Sequence, residues 1–203
     1  MLQNRVDPLG NIIKTPARGL WMGNRGVIHN DKQEIIRPFK LHTWITCRLV
    51  FKNWKRKVMT PKRWTELFFM DEATAFAAGH RPCAECRRED FNKFKSFWLA
   101  GNRGFGFNNK TSIKDVDAIL HKERIDAAAS KVTYDERLDK LPDGAFVLTG
   151  GEPHVLYKAQ LYQWSPFGYG QPVNLPQKGT VQVLTPKSVI NTFQAGYIPQ
   201  MSV

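Results

Sequence analysis

Cys83-Ala84-Glu85-Cys86 sets two thiols two residues apart, a spacing that lets both thiolates reach one tetrahedral ion at a metal–sulfur distance of about 2.3 Å. Thiol–disulfide chemistry is the rival use of this spacing. It places the pair after a strand and at the start of a helix in a βαβ unit, whereas here an alanine-rich segment and Gly79 come first. Cys47 is the remaining member of an odd set of three. It is either a third ligand or a small buried residue, since free cysteine is among the most buried types. The reading carried forward is one zinc ion on Cys47, Cys83 and Cys86. A fourth ligand then has to come from elsewhere. His42 is taken first, although a separation of five residues from Cys47 on one strand turns the two to opposite faces unless a bulge intervenes. His29 and His121 are distant in sequence and unconstrained, His80 sits three residues before Cys83, and water would leave the site open.

Between Cys47 and the cysteine pair, residues 51–64 interleave Lys52, Lys55, Arg56, Lys57, Lys62 and Arg63 with Trp54 and Trp64. Cations of this kind contact phosphates and indoles stack on bases. Arg81 and Arg88 flank the cysteines and extend the patch, and Arg87 serves either phosphate or the thiolates. The net charge of +12 is unevenly placed: residues 1–110 hold 21 Lys+Arg against 9 Asp+Glu, and residues 111–203 hold 9 against 9. An excess confined to one half makes a field suited to a polyanion. Nucleic acid, DNA rather than RNA, is the expected partner, with a solvated surface or an acidic protein as the other readings. Gly23-Asn24-Arg25-Gly26 is a basic turn without the spacing of a phosphate-binding loop, so no nucleotide is assigned to it.

Two hydrolytic chemistries compete with simple binding. Pro82-Cys83-Ala84-Glu85-Cys86 satisfies half of the zinc nucleobase deaminase signature, but the proton-shuttling glutamate is missing two residues after Cys47 (Leu49) and after His42 (Trp44). A metal-dependent nuclease using His29-Asn30-Asp31 or His121-Lys122-Glu123 is the other; neither triplet is specific.

The elements that must position these residues read as α+β. His42–Val50 reads as a strand, 52–56 as a turn and 57–59 as a returning strand, making a hairpin. Asp71 caps a short helix through the alanines that follow, closed by Gly79, and Phe91, Phe94, Phe97 or Trp98 mark the inner face of a helix ending at Gly101. The glycines and asparagines of residues 101–112 read as a joint. Beyond it come a helix over 113–129, short apolar runs at 145–149, 154–157 and 159–164, a strand near 183 and a helix opened by Pro186. The expected organisation is a small zinc-centred hairpin-plus-helices module over residues 1–110, then a helix and a small antiparallel β meander over 111–203. Apolar runs fall well short of the roughly 20 residues of a membrane helix, and no secretion signal opens the chain; a cytoplasmic protein with no membrane partner is expected.

Leu67-Phe68-Phe69, Asp71-Glu72-Ala73-Thr74-Ala75 and Ala77-Ala78-Gly79-His80-Arg81-Pro82-Cys83-Ala84-Glu85-Cys86-Arg87 resemble the second half of the metal-binding domain of Ada-type DNA repair proteins. Thr46-Cys47-Arg48 resembles that family's first Cys-Arg element, so the likeness covers roughly residues 44–95. It implies a small zinc domain on the DNA backbone, with Cys47 in the position that accepts a methyl group from a methylated phosphate. One departure bears on the chemistry. The family's second cysteine, four residues after the first, is Phe51 here. Three thiolates on Zn²⁺ give a site of net charge −1 rather than −2, and their sulfurs are poorer nucleophiles. A structural or backbone-reading role tolerates that loss better than methyl transfer does.

Overall fold

A short helix in which alanine and threonine fill four of six positions lies between two sheets, and this arrangement governs the rest of the chain. The structure, a computed structural model, describes residues 1–53, 57–174 and 179–203. The first sheet comprises β1 (Gln3–Val6), β2 (Ile12–Lys14), β3 (Trp21–Asn24), β4 (Ile45–Cys47), β5 (Leu67–Phe69) and β6 (Arg81–Pro82), in the order β2-β1-β5-β3-β4-β6. It is mixed, with β1 parallel to β5 and β4 parallel to β6. The central helix α1 (Glu72–Ala77) leaves β5 through Asp71, whose side chain accepts the N–H of Thr74 at 2.8 Å. All six of its residues are buried. Ala75 and the following Ala78 pack on Val6, Leu67 and Phe69 of the first sheet, while Ala73 and Ala77 pack on Phe146, Val155 and Trp164 of the second. Alanine gives helix propensity at minimal girth, which lets both sheets close on one helix. Gly79, at φ +83, ends it in the left-handed region that glycine enters freely.

Two longer helices follow, α2 (Arg88–Gly101) and α3 (Ile113–Arg124). The second sheet is antiparallel throughout and comprises β7 (Tyr134–Arg137), β8 (Phe146–Thr149), β9 (Glu152–Tyr157), β10 (Gln160–Ser165), β11 (Gly168–Asn174) and β12 (Thr180–Val183), in the order β11-β10-β9-β8-β12-β7. The last helix, α4 (Lys187–Gln194), begins after Pro186. Phe94 and Trp98 of α2, Val116 and Leu120 of α3, and Val189 and Phe193 of α4 form one core with Phe76 of α1. Residues on both sides of position 110 therefore share a single apolar cluster.

The architecture is α+β, and the meander of β8, β9 and β10 lies where the apolar runs indicated. The expected hairpin does not form. β4 pairs antiparallel with β3 and parallel with β6, while residues 57–59 turn, and the N–H of buried Met59 donates to Glu66 Oε2 at 2.7 Å. Most of the expected turn, residues 54–56, lies outside the described residues. The helix expected over 113–129 stops at Arg124, because Ile125 bridges to Lys131 and Asp126 Oδ1 accepts the N–H groups of Ala128 and Ser130, each at 2.9 Å. Among the described residues no helix is long and apolar enough to cross a membrane.

Candidate metal centre

Two stretches of chain, the end of β4 and the turn that follows β6, deliver the three cysteines. Cys47 ends β4, directly across from Met22 on β3. Cys83 leaves β6, its N–H donating to Thr46 O at 2.9 Å. Cys86 lies in the turn between β6 and α2, where the N–H of Arg87 returns to Cys83 O at 3.2 Å. Their sulfurs all lie within 4.8 Å of one another. A tetrahedral ion bound to each at about 2.3 Å requires a separation of about 3.8 Å, so small side-chain adjustments suffice for a metal. Cys47 and Cys86 are buried among Met22, Ile45, Phe51 and Phe68, and Cys83 is the most open of the three.

The thiols themselves report how crowded this site is with charge. Hydrogen bonds from Cys47 and then Cys86 hold the Cys83 thiol far below its ordinary value, and backbone N–H groups, that of Glu85 at 3.4 Å among them, add to the effect. The same contacts, first with Cys83 and then with Cys86, together with burial, push Cys47 up. Three sulfurs this close do not all ionise unaided. A divalent cation would replace those shared protons and allow three thiolates at once.

Two arginines beside the cysteines fix the turn in place. Arg81 grips Asp117 of α3 with two bonds, Nε to Oδ1 at 2.6 Å and Nη2 to Oδ2 at 2.7 Å, with both side chains buried. Arg87 pairs with Glu72 of α1, donates to Asp90 Oδ2 at 2.9 Å and Thr46 Oγ1 at 2.8 Å, and lies over the ring of Trp21. Neither guanidinium faces solvent. Arg81 is thus removed from the expected nucleic-acid contacts, because a buried carboxylate on a distant helix takes its Nε and Nη2 while Nη1 donates to Pro82 O at 3.0 Å. Arg87 serves neither phosphate nor thiolate.

His42 does not join the cysteines. It precedes β4, stacks on His121 with ring centroids 3.8 Å apart, and gives its carbonyl to Arg124 at 2.6 Å. His29 is buried, with Nδ1 2.6 Å from Thr65 Oγ1 and Nε2 3.2 Å from Thr60 O, and His121 also contacts Arg124. His80 packs beside Arg25, Trp44 and Phe69. Among the described residues no histidine or carboxylate completes the cluster. Phe51, where a fourth cysteine would stand in the resembled family, packs against the cluster of Met22, Cys47 and Cys86.

Of the remaining basic positions, Lys52, Lys57, Lys62, Arg63 and Arg88 are exposed, and Lys52 pairs with Glu85 at 3.9 Å across the surface beside Cys83. Lys57, Lys62, Arg63 and the exposed Trp64 border a surface groove of about 560 Å³. Trp54, Lys55 and Arg56 lie outside the described residues. Met22 went unnoticed in the sequence because β3 carries no clear alternation. Asp117 is one of several acids along α3, and its pairing with Arg81 needs the tertiary fold to be seen. No protein-family model, curated protein or solved structure matches the chain.

Proposed function

We propose that this protein holds one zinc ion on Cys47, Cys83 and Cys86 and binds nucleic acid, chiefly through DNA phosphates. The observation that carries the metal is the convergence within 4.8 Å of three sulfurs from β4, the β6 end and the turn before α2. All-sulfur donors favour zinc over the hard cations, which prefer oxygen. The DNA reading draws support from the basic excess of residues 1–110 and from exposed Lys57, Lys62 and Arg63 beside an open indole. The likeness of residues 44–95 to Ada-type domains points the same way, toward repair.

A zinc-dependent hydrolase on nucleic acid is the second reading, favoured by the absence of a fourth protein ligand among the described residues, which leaves a position for water. Its weakness is the proton shuttle. Glu72 is locked to Arg87, and Glu85 is exposed and paired with Lys52. Duplex binding by fluorescence anisotropy across a salt series separates these readings. The zinc-loaded protein is expected to show a log–log slope of about −4 to −5, from about 0.9 per phosphate over the exposed candidate contacts Lys52, Lys57, Lys62, Arg63 and Arg88, and Lys62→Gln with Arg63→Gln should flatten it by about 2. Turnover of DNA that a chelator abolishes would favour the hydrolase; no duplex binding at low salt would contradict the DNA reading.

A further inference from the structure

A second concentration of charge lies inside the protein, apart from the cysteines. The guanidiniums of Arg25 and Arg124 both lie over the ring of Trp44, with Cζ 3.9 and 3.8 Å from its centroid, and the two arginines are 2 % and 1 % exposed. Arg25 Nη2 and Arg124 Nε have no hydrogen-bond partner in the protein. Lys131 brings a third cation, its ammonium donating to Ala77 O at 2.5 Å. All three line a cavity of about 560 Å³, a size typical of small-molecule sites. Guanidinium does not deprotonate in proteins, so burial of two such groups with donors unmet calls for a counter-charge.

The protein supplies only part of it. Asp117 is occupied by both arms of Arg81. Asp7 remains, and its carboxylate already accepts the N–H and the Nδ2 of Asn11 at 2.9 and 3.0 Å. With Lys131 protonated, two guanidiniums and an ammonium against one free carboxylate leave a charge of +2, focused around one indole rather than spread over separate sites. Leu9, Ile12, Ile35 and Pro38 form an apolar wall, and exposed Gln3, Asn11 and Ser130 stand at the rim.

We propose that this cavity binds an organic phosphomonoester, its dianionic head on Arg25, Arg124 and Lys131 and its organic part against the apolar wall. Arg25 Nη2 and Arg124 Nε are the guanidinium donors left without protein partners, suited to charge-assisted bonds to phosphate oxygens, and the dianion cancels the surplus charge. This site is independent of the cysteines and of the DNA-binding reading.

Calorimetric titration at pH 7 with phenyl phosphate and with phenyl sulfate tests it, because the two have the same shape but the phosphate is largely dianionic there, with its second pKa about 6. Phenyl phosphate is expected to saturate at one per chain and phenyl sulfate to bind at least tenfold more weakly. Lys131→Met, which removes a buried charge and should fold, and Arg25→Lys, which keeps charge but loses the fork, are each expected to weaken phenyl phosphate at least tenfold while unfolding cooperatively. Absence of saturable binding to the folded parent at millimolar phenyl phosphate, equal binding of the two probes, or undiminished binding by folded Lys131→Met would overturn the proposal. A 5′-phosphorylated strand that binds tenfold better than its 5′-hydroxyl counterpart would place the head at a nucleic-acid end; equal strands with phenyl phosphate still bound would make it a free metabolite-sized phosphate.

Discussion

Lys131 shows how one residue's surroundings set a measurable property of the whole chain. Burial, then repulsion from Arg25 and Arg124, lowers its ammonium from the usual lysine range to about 7, with Asp7 working weakly the other way. A lysine that gives up its proton at lower pH in the fold than in the unfolded chain destabilises the fold until the pH exceeds its ordinary value near 10.4. The penalty is full at and below pH 7 and shrinks as pH rises. Stability of the protein without added anions is therefore expected to climb between pH 7 and 9.5, and Lys131→Met to be more stable at pH 7 and flatter across that window. Urea midpoints at fixed ionic strength check this; a flat parent profile contradicts it. The arginines around the cysteines carry a related lesson. Arg81, Arg87 and Arg88 are equivalent in sequence, each a cation within two residues of a cysteine. Only the fold separates them, into two buried anchors and one exposed cation. The cysteine cluster was legible because two of its members stand at the spacing a metal would require; the fate of a guanidinium depends on a partner elsewhere in the chain.

At the scale of elements, the stretch that looked most like a linker begins as a close-packed junction. A Cβ on Gly101 would lie 2.2 Å from the carbonyl oxygen of Asn191 in α4, whereas one on Gly104 would meet nothing within 4 Å. Asn102 Nδ2 donates to Trp98 O at 2.8 Å and Ser188 O at 2.9 Å, and its Oδ1 accepts Asn191 Nδ2 at 2.9 Å. Glycine and asparagine serve both flexible joints and close backbone approaches, so composition alone does not tell which is present. Gly101→Ala is expected to cost about 2 kcal/mol or more by overpacking α2 against α4, and Gly104→Ala to stay within about 0.5 kcal/mol of the parent. Equal urea midpoints for the two variants would count against the junction. Elements with strong local signals, the Asp71 cap, the Gly79 stop and the apolar runs of β8 to β10, were legible for the opposite reason: each is specified within a few neighbouring residues. The short strands β1, β3 and β6 were not, because their register is set by partners far along the chain.

Across the whole molecule, the basic half and the neutral half are divided in charge but not in packing. Phe76, Phe94 and Trp98 meet Val189 and Phe193 in one core, and the turn bearing Cys83 and Cys86 is tied through Arg81 to α3 and through Arg87 to α1. The three sulfurs are therefore held by a scaffold that draws on residues well beyond position 110, and a metal bound there would join the fold at β4, β6 and the start of α2. The most direct test is zinc per chain, by elemental analysis, on the purified protein and on Cys47→Ser side by side. Close to one zinc in the parent and loss in the variant is the predicted result. A folded parent without zinc, or full retention in Cys47→Ser, would contradict a centre built on all three cysteines.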